Sequence, residues 1–160
     1  MKQIYRITIL VLAMVVFLSS NAECGEEEVL QALDAVKTHV ESGVSPDTLA
    51  RLLDEAKIQI DILKQEDMAD DCFREAVANC YYWYTLARRN RETMIANQVQ
   101  RDRYDQEAIF GDVSMRPTYE KIVANYEELI RHAYEALPSK WDYGNAGLQI
   151  ARECLADKKD

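Results

Sequence analysis

Apolar residues recur at three- and four-residue spacing through most of the chain, which is the periodicity of amphipathic α-helices. A second helix is predicted to begin at Ser45-Pro46-Asp47, because serine caps helices, proline suits the first helical position and aspartate faces the positive end of the helix dipole. Gly43 is expected to end the first helix. The stripe of the first helix is Val29, Leu33, Val36 and Val40, and that of the second is Leu49, Leu52, Leu53, Ala56, Ile60 and Leu63.

A third predicted helix is unusually long, from about Met68 to about Tyr104, because no glycine or proline interrupts it. Its apolar side carries Phe73, Ala76, Val77, Cys80, Tyr84 and Ala87. A break is expected at Phe110-Gly111-Asp112, after which Pro117 opens a fourth helix and Pro138 stops it. A last helix is predicted from about Ala146 to Leu155.

No segment after residue 22 alternates with period two for long enough to predict a strand, so the expected fold class is all-α. The favoured architecture is an antiparallel bundle of four to five helices with a long central third helix, stapled by disulfides. The alternative is a short array of helical hairpins of the tetratricopeptide type, because several helices are paired across tight turns. The length of the third helix favours the bundle.

The N-terminus has the three parts of a secretory signal peptide. These parts are the basic Lys2 and Arg6, an uncharged apolar run over residues 7–18, and small or polar residues up to Ala22. The apolar run is shorter than the roughly 20 residues that span a bilayer, which favours cleavage after Ala22 over a membrane anchor. The acidic Glu23 disfavours a lipid attached to Cys24. Residues 1–22 are therefore interpreted as a signal peptide, and residues 23–160 as a single helical domain that is periplasmic or secreted.

The chain is acidic, with a net charge of −9, which becomes −11 once Lys2 and Arg6 leave with the signal peptide. Residues 23–75 hold most of the acidity, whereas residues 76–116 contain six arginines and five acids. Nucleic-acid binding needs a net basic face, so a nucleic acid is not expected as a partner. No later apolar run is long enough to cross a membrane, so no membrane contact is expected after cleavage.

All four cysteines, Cys24, Cys72, Cys80 and Cys154, follow the predicted cleavage site, and an even number in an exported chain predicts two disulfides. Free buried thiols are the alternative. Cys72 and Cys80 would lie about 12 Å apart on one helix, beyond the roughly 7 Å that separates bonded cysteines at most, so they are not expected to pair. Two connectivities remain. In an up-down bundle the first and third helices run parallel, which favours Cys24–Cys72 and Cys80–Cys154.

No catalytic pattern with a serine nucleophile, a metalloprotease helix, a phosphate loop or a calcium loop occurs in the sequence, so neither enzymatic activity nor a cofactor nor a metal is predicted. Glu128, His132 and Glu135 recur at i, i+4 and i+7 and could present three metal ligands. They point away from the apolar stripe of the fourth helix, where a solvated charged face is the favoured interpretation.

Four consecutive aromatic residues, Tyr81 to Tyr84, surround the third helix on every side. The favoured interpretation is a central helix that packs against neighbours on more than one face. The functional alternative is a ligand pocket for an apolar or sugar-like small molecule, lined by Tyr81, Trp83, Tyr84 and Tyr126.

Beyond Ala87 the stripe of the third helix turns polar while the helix continues. A protruding helix with arginines, a tyrosine and scattered apolar residues is typical of a protein-binding surface, although a solvated protrusion or a shifted buried face would give the same pattern. The candidate partner-binding residues are Arg88, Arg91, Gln98, Arg101, Arg103 and Tyr104.

The leading hypothesis from the sequence is therefore an exported, non-enzymatic interaction module that binds another protein through this arginine-rich helix. The alternative is a small-molecule binder that uses the aromatic pocket between helices.

Overall fold

The computed structural model describes residues 24–42, 45–66 and 69–158, which form four α-helices and a short 3₁₀ helix. The helices are α1 (Cys24–Glu41), α2 (Pro46–Glu66), α3 (Asp71–Phe110) and α4 (Arg116–Asp157), with the 3₁₀ helix at Val113–Met115. These residues contain no strand, which confirms the predicted all-α class. The predicted signal peptide, the helix end at Gly43 and the helix start at Met68 lie outside the described residues. Across the described ranges, none of the helices combines the length and the apolar character needed to span a bilayer.

Side-chain caps fix where the helices begin. The backbone N–H of Thr48 donates to Ser45 Oγ over 3.3 Å at the start of α2, as the sequence predicted. At the start of α3, Asp70 Oδ1 accepts a hydrogen bond of 3.2 Å from the backbone of Cys72. Asp112 Oδ1 accepts a hydrogen bond of 2.8 Å from the backbone N–H of Ser114, which sets the turn between α3 and α4 at the predicted break.

The predicted stop at Pro138 is wrong, because α4 runs through it as one helix of 42 residues. A proline in a helix interior costs about 3 kcal/mol through a lost hydrogen bond and crowding of the preceding turn. Packing on both sides of Pro138 offsets this cost, since Tyr126 stacks on Tyr104 of α3 and Leu148 is fully buried in the core. Long-range contacts therefore override the local signal.

α3 and α4 lie antiparallel along their whole length and keep one register. Three contacts mark it from one end to the other: Cys72–Cys154, Tyr84–Asn145 and Tyr104–Tyr126. The two helices approach most closely at Gly144 and Gly147. A Cβ on Gly144 would lie 2.4 Å from the Tyr84 ring, and one on Gly147 would lie 2.9 Å from the backbone nitrogen of Cys80. Any larger side chain there would push the helices apart.

The core occupies only one half of the hairpin that α3 and α4 form. α1 and α2 have 18 and 21 residues, about half the length of α3 and α4, and pack against that half. No residue from 88 to 143 is buried. The core residues include Leu33 and Val36 of α1, Leu49 and Leu53 of α2, Phe73 and Val77 of α3, and Leu148 and Ala151 of α4.

We call residues 92–110 of α3 and 116–133 of α4 the arm, and the remaining helical part the body. At 1.5 Å per residue the arm extends about 28 Å past the body. The long third helix of the predicted bundle is thus confirmed, but it protrudes together with α4 rather than alone. Helices of 40 and 42 residues do not fit the roughly 34-residue helix–turn–helix unit of a tetratricopeptide array.

The disulfide joins Cys72 to Cys154, which corrects the predicted Cys80–Cys154 pair, and Cys80 is a buried free thiol. The antiparallel register places Cys154 beside Cys72, whereas Cys80 lies beside Gly147, two turns away. The side chain of Cys24, the predicted partner of Cys72, lies outside the described residues.

We expect reduction of Cys72–Cys154 to lower the free energy of unfolding by about 2–4 kcal/mol, because the bond closes a long loop and restricts the unfolded chain. Denaturation with and without reductant measures this loss. The control is the double variant Cys72→Ser/Cys154→Ser, which should unfold at the same denaturant concentration in both conditions. Non-reducing peptide mapping that links Cys80 to Cys154 would contradict the pairing.

Candidate functional site

The body carries a groove of about 450 Å³ between the C-terminal end of α1 and the middle of α4. Its walls are mostly apolar, with charged groups on the rim. It is lined by Lys37, Val40, Glu41, Tyr84, Tyr134, Leu137, Pro138, Trp141, Asp142 and Asn145. This volume lies in the lower part of the range for small-molecule sites, which is about 300–1,000 Å³.

Tyr84 forms the floor of this groove and is fully buried. Its hydroxyl donates to Asn145 Oδ1 over 2.7 Å, and its ring centre lies 5.5 Å from that of Trp141. Burial raises the pKa of the Tyr84 hydroxyl, and the neighbouring Cys80 raises it further. Burial likewise raises the pKa of the Cys80 thiol to about 12. Both groups are therefore protonated near neutral pH, so neither provides the anion that nucleophilic or base catalysis requires.

The four aromatic residues predicted to line one pocket do not come together. Trp83 lies on another side of α3 and packs 4.7 Å from Tyr143, and Tyr81 is half-buried against the core. Tyr126 lies in the arm, 6.0 Å from Tyr104, because α4 continues unbroken and carries it about 22 Å along the helix from Trp141. Of the four predicted residues, only Tyr84 lines the groove. The sequence did not identify Trp141 as a wall.

The predicted arginine-rich surface lies along α3, partly against α4. Arg88 pairs with Glu92 over 3.5 Å and Arg101 with Asp102 over 2.6 Å. Tyr104 stacks against the tyrosines of α4, and Arg91 and Gln98 are half-buried. Only Arg103 of the predicted set is exposed. Contact with α4 thus occupies part of the surface that the sequence assigned to a partner.

The far end of the arm presents an apolar cluster that sequence reasoning missed. Phe110 is 85% exposed and Val113 71% exposed, and Ile109 and Met115 are exposed beside them. We call these four residues the tip. Arg116 Nε donates to the carbonyl of Ala108 over 3.0 Å and closes the turn from which they project. Large contiguous patches of exposed apolar surface often mark interaction sites, which makes the tip a candidate.

The histidine face of α4 is solvent-exposed. His132 Nε2 lies 3.5 Å from Glu128 Oε1 and its Nδ1 lies 4.0 Å from Glu135 Oε2. Arg131 pairs with the same two carboxylates. In the part of the chain that the structure describes, no three His, Cys, Asp or Glu side chains are placed to hold a metal ion. Comparison with protein-family models, with curated proteins and with solved structures finds no match.

We expect the free energy of unfolding to fall as the pH rises from about 9 towards 12, because the Cys80 thiol ionises near pH 9 when unfolded and only near pH 12 when folded. Unfolding then releases a proton and becomes more favourable. Chemical denaturation between pH 8 and 11 measures the slope. Cys80→Ala should show a shallower slope, because it removes the thiol and also the part of the Tyr84 pKa shift that Cys80 causes. The same slope of unfolding free energy against pH in the wild type and in Cys80→Ala would contradict the burial of an ionisable thiol.

Proposed function

We propose that this protein is an exported, non-enzymatic interaction module that captures another protein with its arm. The observation that carries the proposal is the tip, a cluster of four exposed apolar residues held at the end of the projecting hairpin. A water-exposed Phe110 contributes nothing to folding. Its burial against a partner would contribute to binding at roughly 25 cal/mol per Å² of apolar surface.

The arm is not needed to complete the core. Every buried residue of the described chain lies before residue 88 or after residue 143, so the core closes without the arm. The arm nevertheless has a defined structure. Asp112 caps its turn, and Tyr104 of α3 stacks on Tyr126 of α4. Such order in a segment outside the core favours a rigid presenting element over a solvated protrusion.

The charges around the arm indicate which partner chemistry suits it. Arg103 is exposed, and Arg101 pairs with the neighbouring Asp102 on the surface, a kind of ion pair that contributes little to stability. Both guanidinium groups can therefore turn to carboxylates of a partner. The proposed target presents an apolar pocket for the tip with acidic residues beside it.

An exported location fits the disulfide. Cys72–Cys154 is compatible with an oxidising compartment, where such bonds persist. The basic and apolar pattern of residues 1–22 supports the same proposal.

We expect Phe110→Ser/Val113→Ser to reduce partner capture at least about tenfold, since central apolar contacts dominate protein interfaces. Arg91→Glu/Arg101→Glu should also reduce capture, because it reverses one charge directly before the arm and one within it. The tagged mature chain would be purified from its native compartment and its partner quantified by mass spectrometry, with helicity checked by circular dichroism.

The matched control is Ile58→Ser on α2, because Ile58 is 57% exposed, as is Ile109 of the tip. This variant should capture the partner as well as the wild type does. Equal capture by the tip variant and the control would exclude the tip as the binding element, and equal capture by Arg91→Glu/Arg101→Glu as well would exclude the arm.

The groove supports a second candidate function, the binding of a small apolar or sugar-like ligand. Trp141 lines the groove, whereas Trp83 lies on another side of α3 against Tyr143. In a Trp83→Phe variant the remaining tryptophan emission therefore reports on the groove.

The interaction-module proposal predicts that octyl glucoside, added below its micellar concentration, leaves the Trp141 emission of Trp83→Phe unchanged. A saturable spectral shift that Leu137→Arg removes would favour the ligand-binding function instead. The same titration of wild-type protein checks that the Trp83→Phe substitution has not altered the groove.

A further inference from the structure

The side of the hairpin that faces away from α1 carries two rows of side chains, each at a spacing of seven residues. We call this side the far face. The row on α3 is Tyr82, Arg89, Ala96 and Arg103, all exposed. The row on α4 is Ile122, Leu129, Ala136 and Tyr143, of which Leu129 is 51% and Tyr143 55% exposed.

The position of these rows follows from the residues that contact α1. On α4, Trp141 and Asn145 line the groove beside α1, each two residues from Tyr143. Two residues correspond to about 200° around a helix, so Tyr143 points away from α1. The same step separates Tyr82 from Tyr84, the floor of the groove.

The antiparallel register sets the two rows side by side. Trp83 connects their ends, with ring-centre distances of 5.4 Å to Tyr82 and 4.7 Å to Tyr143. Equal steps of seven residues in opposite directions then bring Arg89 level with Ala136 and Ala96 level with Leu129. A spacing of seven residues is the repeat by which α-helices pack along one another. The far face therefore offers Ile122, Leu129 and Tyr143 of α4 beside the small Ala96 of α3, a surface on which a helix can pack.

The edges of the far face carry opposite charges. On α3 the row itself contributes Arg89 and Arg103, and neither forms an ion pair within the described residues. The residues directly before them, Arg88 and Asp102, carry opposite charges, so this edge stays basic. On α4 an acid directly precedes three consecutive positions of the row: Glu128, Glu135 and Asp142. Glu128 and Glu135 also pair with Arg131 of the same helix, but such exposed pairs are weak and can exchange for a guanidinium group of a second copy. Lys121, before Ile122 near the tip, is the exception. A face with one basic and one acidic edge is complementary to itself when a twofold axis runs parallel to the hairpin.

We propose that a second copy of this chain covers the far face, so that the two hairpins form a four-helix bundle. Because the twofold axis runs parallel to the hairpin, each residue stays at the same height along the bundle as its counterpart in the second copy. The α3 helix of one copy then faces the α4 helix of the other. Ala96 then lies against Leu129 of the second copy, which matches a small side chain with a large one. Arg89 meets Glu135 of the second copy, and the reverse pair forms symmetrically.

This arrangement goes beyond the proposed function and leaves it possible. Both tips lie at the same end of the dimer and remain uncovered, so two apolar clusters face a partner together. The acidic α1 and α2 lie on the outer sides, away from the contact. Their mutual repulsion is screened beyond a Debye length of about 8 Å at physiological ionic strength.

Sedimentation equilibrium of the mature chain tests the proposal, and a reversible dimer is the expected result. Arg89→Glu and Glu135→Arg should each raise the dissociation constant at least about tenfold, because each places two pairs of like charges across the interface. The double variant Arg89→Glu/Glu135→Arg should regain the dimer. A mixture of the two single variants should form a heterodimer.

The control is Arg51→Glu, an exposed reversal on α2 that should leave the dimer unchanged. Circular dichroism verifies that every variant folds. A monomer at 100 µM, or a dimer indifferent to Arg89→Glu and to Leu129→Asp, would overturn the proposal. A monomer whose far face instead takes up an added acidic amphipathic peptide would overturn it as well. The tip lies outside the far face, so partner capture by Phe110→Ser/Val113→Ser is a separate result.

Discussion

The close contact of α3 and α4 at Gly144 and Gly147 is the constraint on which the rest of the structure depends. With no Cβ in the way, the ring of Tyr84 and the backbone of Cys80 lie directly on α4. That contact fixes the antiparallel register, and the register in turn places Cys154 beside Cys72. It also buries the phenol and the thiol, which raises the pKa of both. The positions of the groove, the disulfide and the arm thus depend on glycine at residues 144 and 147.

Local signals in the sequence predicted the elements well, because their causes lie within a few residues. The Ser45 cap, the uninterrupted run of α3 and the break at Phe110-Gly111-Asp112 all agree with the structure. The errors concern relations between distant residues. Pro138 is interpreted as a helix stop until packing against α3 is known, and the closeness of Gly147 to Cys80 cannot be predicted from the sequence around either residue. Once α4 is one helix, the predicted disulfide pairing fails for the same reason.

The candidate sites show the same difference between features with local causes and features that depend on distant residues. The arginine-rich stretch of α3 was found because a polar stripe on a continuing helix is visible in the sequence, but its contact with α4 at Tyr104 was not. The groove could not be found, because Val40 and Trp141 are brought together only by the fold. The tip had a usable signal, since Phe110 and Val113 flank the predicted turn and turns seldom carry large apolar residues.

The arm combines an exposed apolar tip with a far face that carries exposed apolar residues, and a solvated protrusion needs neither. The contact between α3 and α4 within the arm contributes little stability by itself, because two helices outside a core are only marginally stable in water and no residue of the arm is buried. A second layer on the far face would bury Ile122 and Leu129 of the arm while leaving Phe110 and Val113 in solvent. Pairing would also present two tips at one end, where engagement of the first raises the effective concentration of the second. Stabilising the arm and strengthening capture are then consequences of one contact, which explains why a chain with a complete core would retain so long a hairpin.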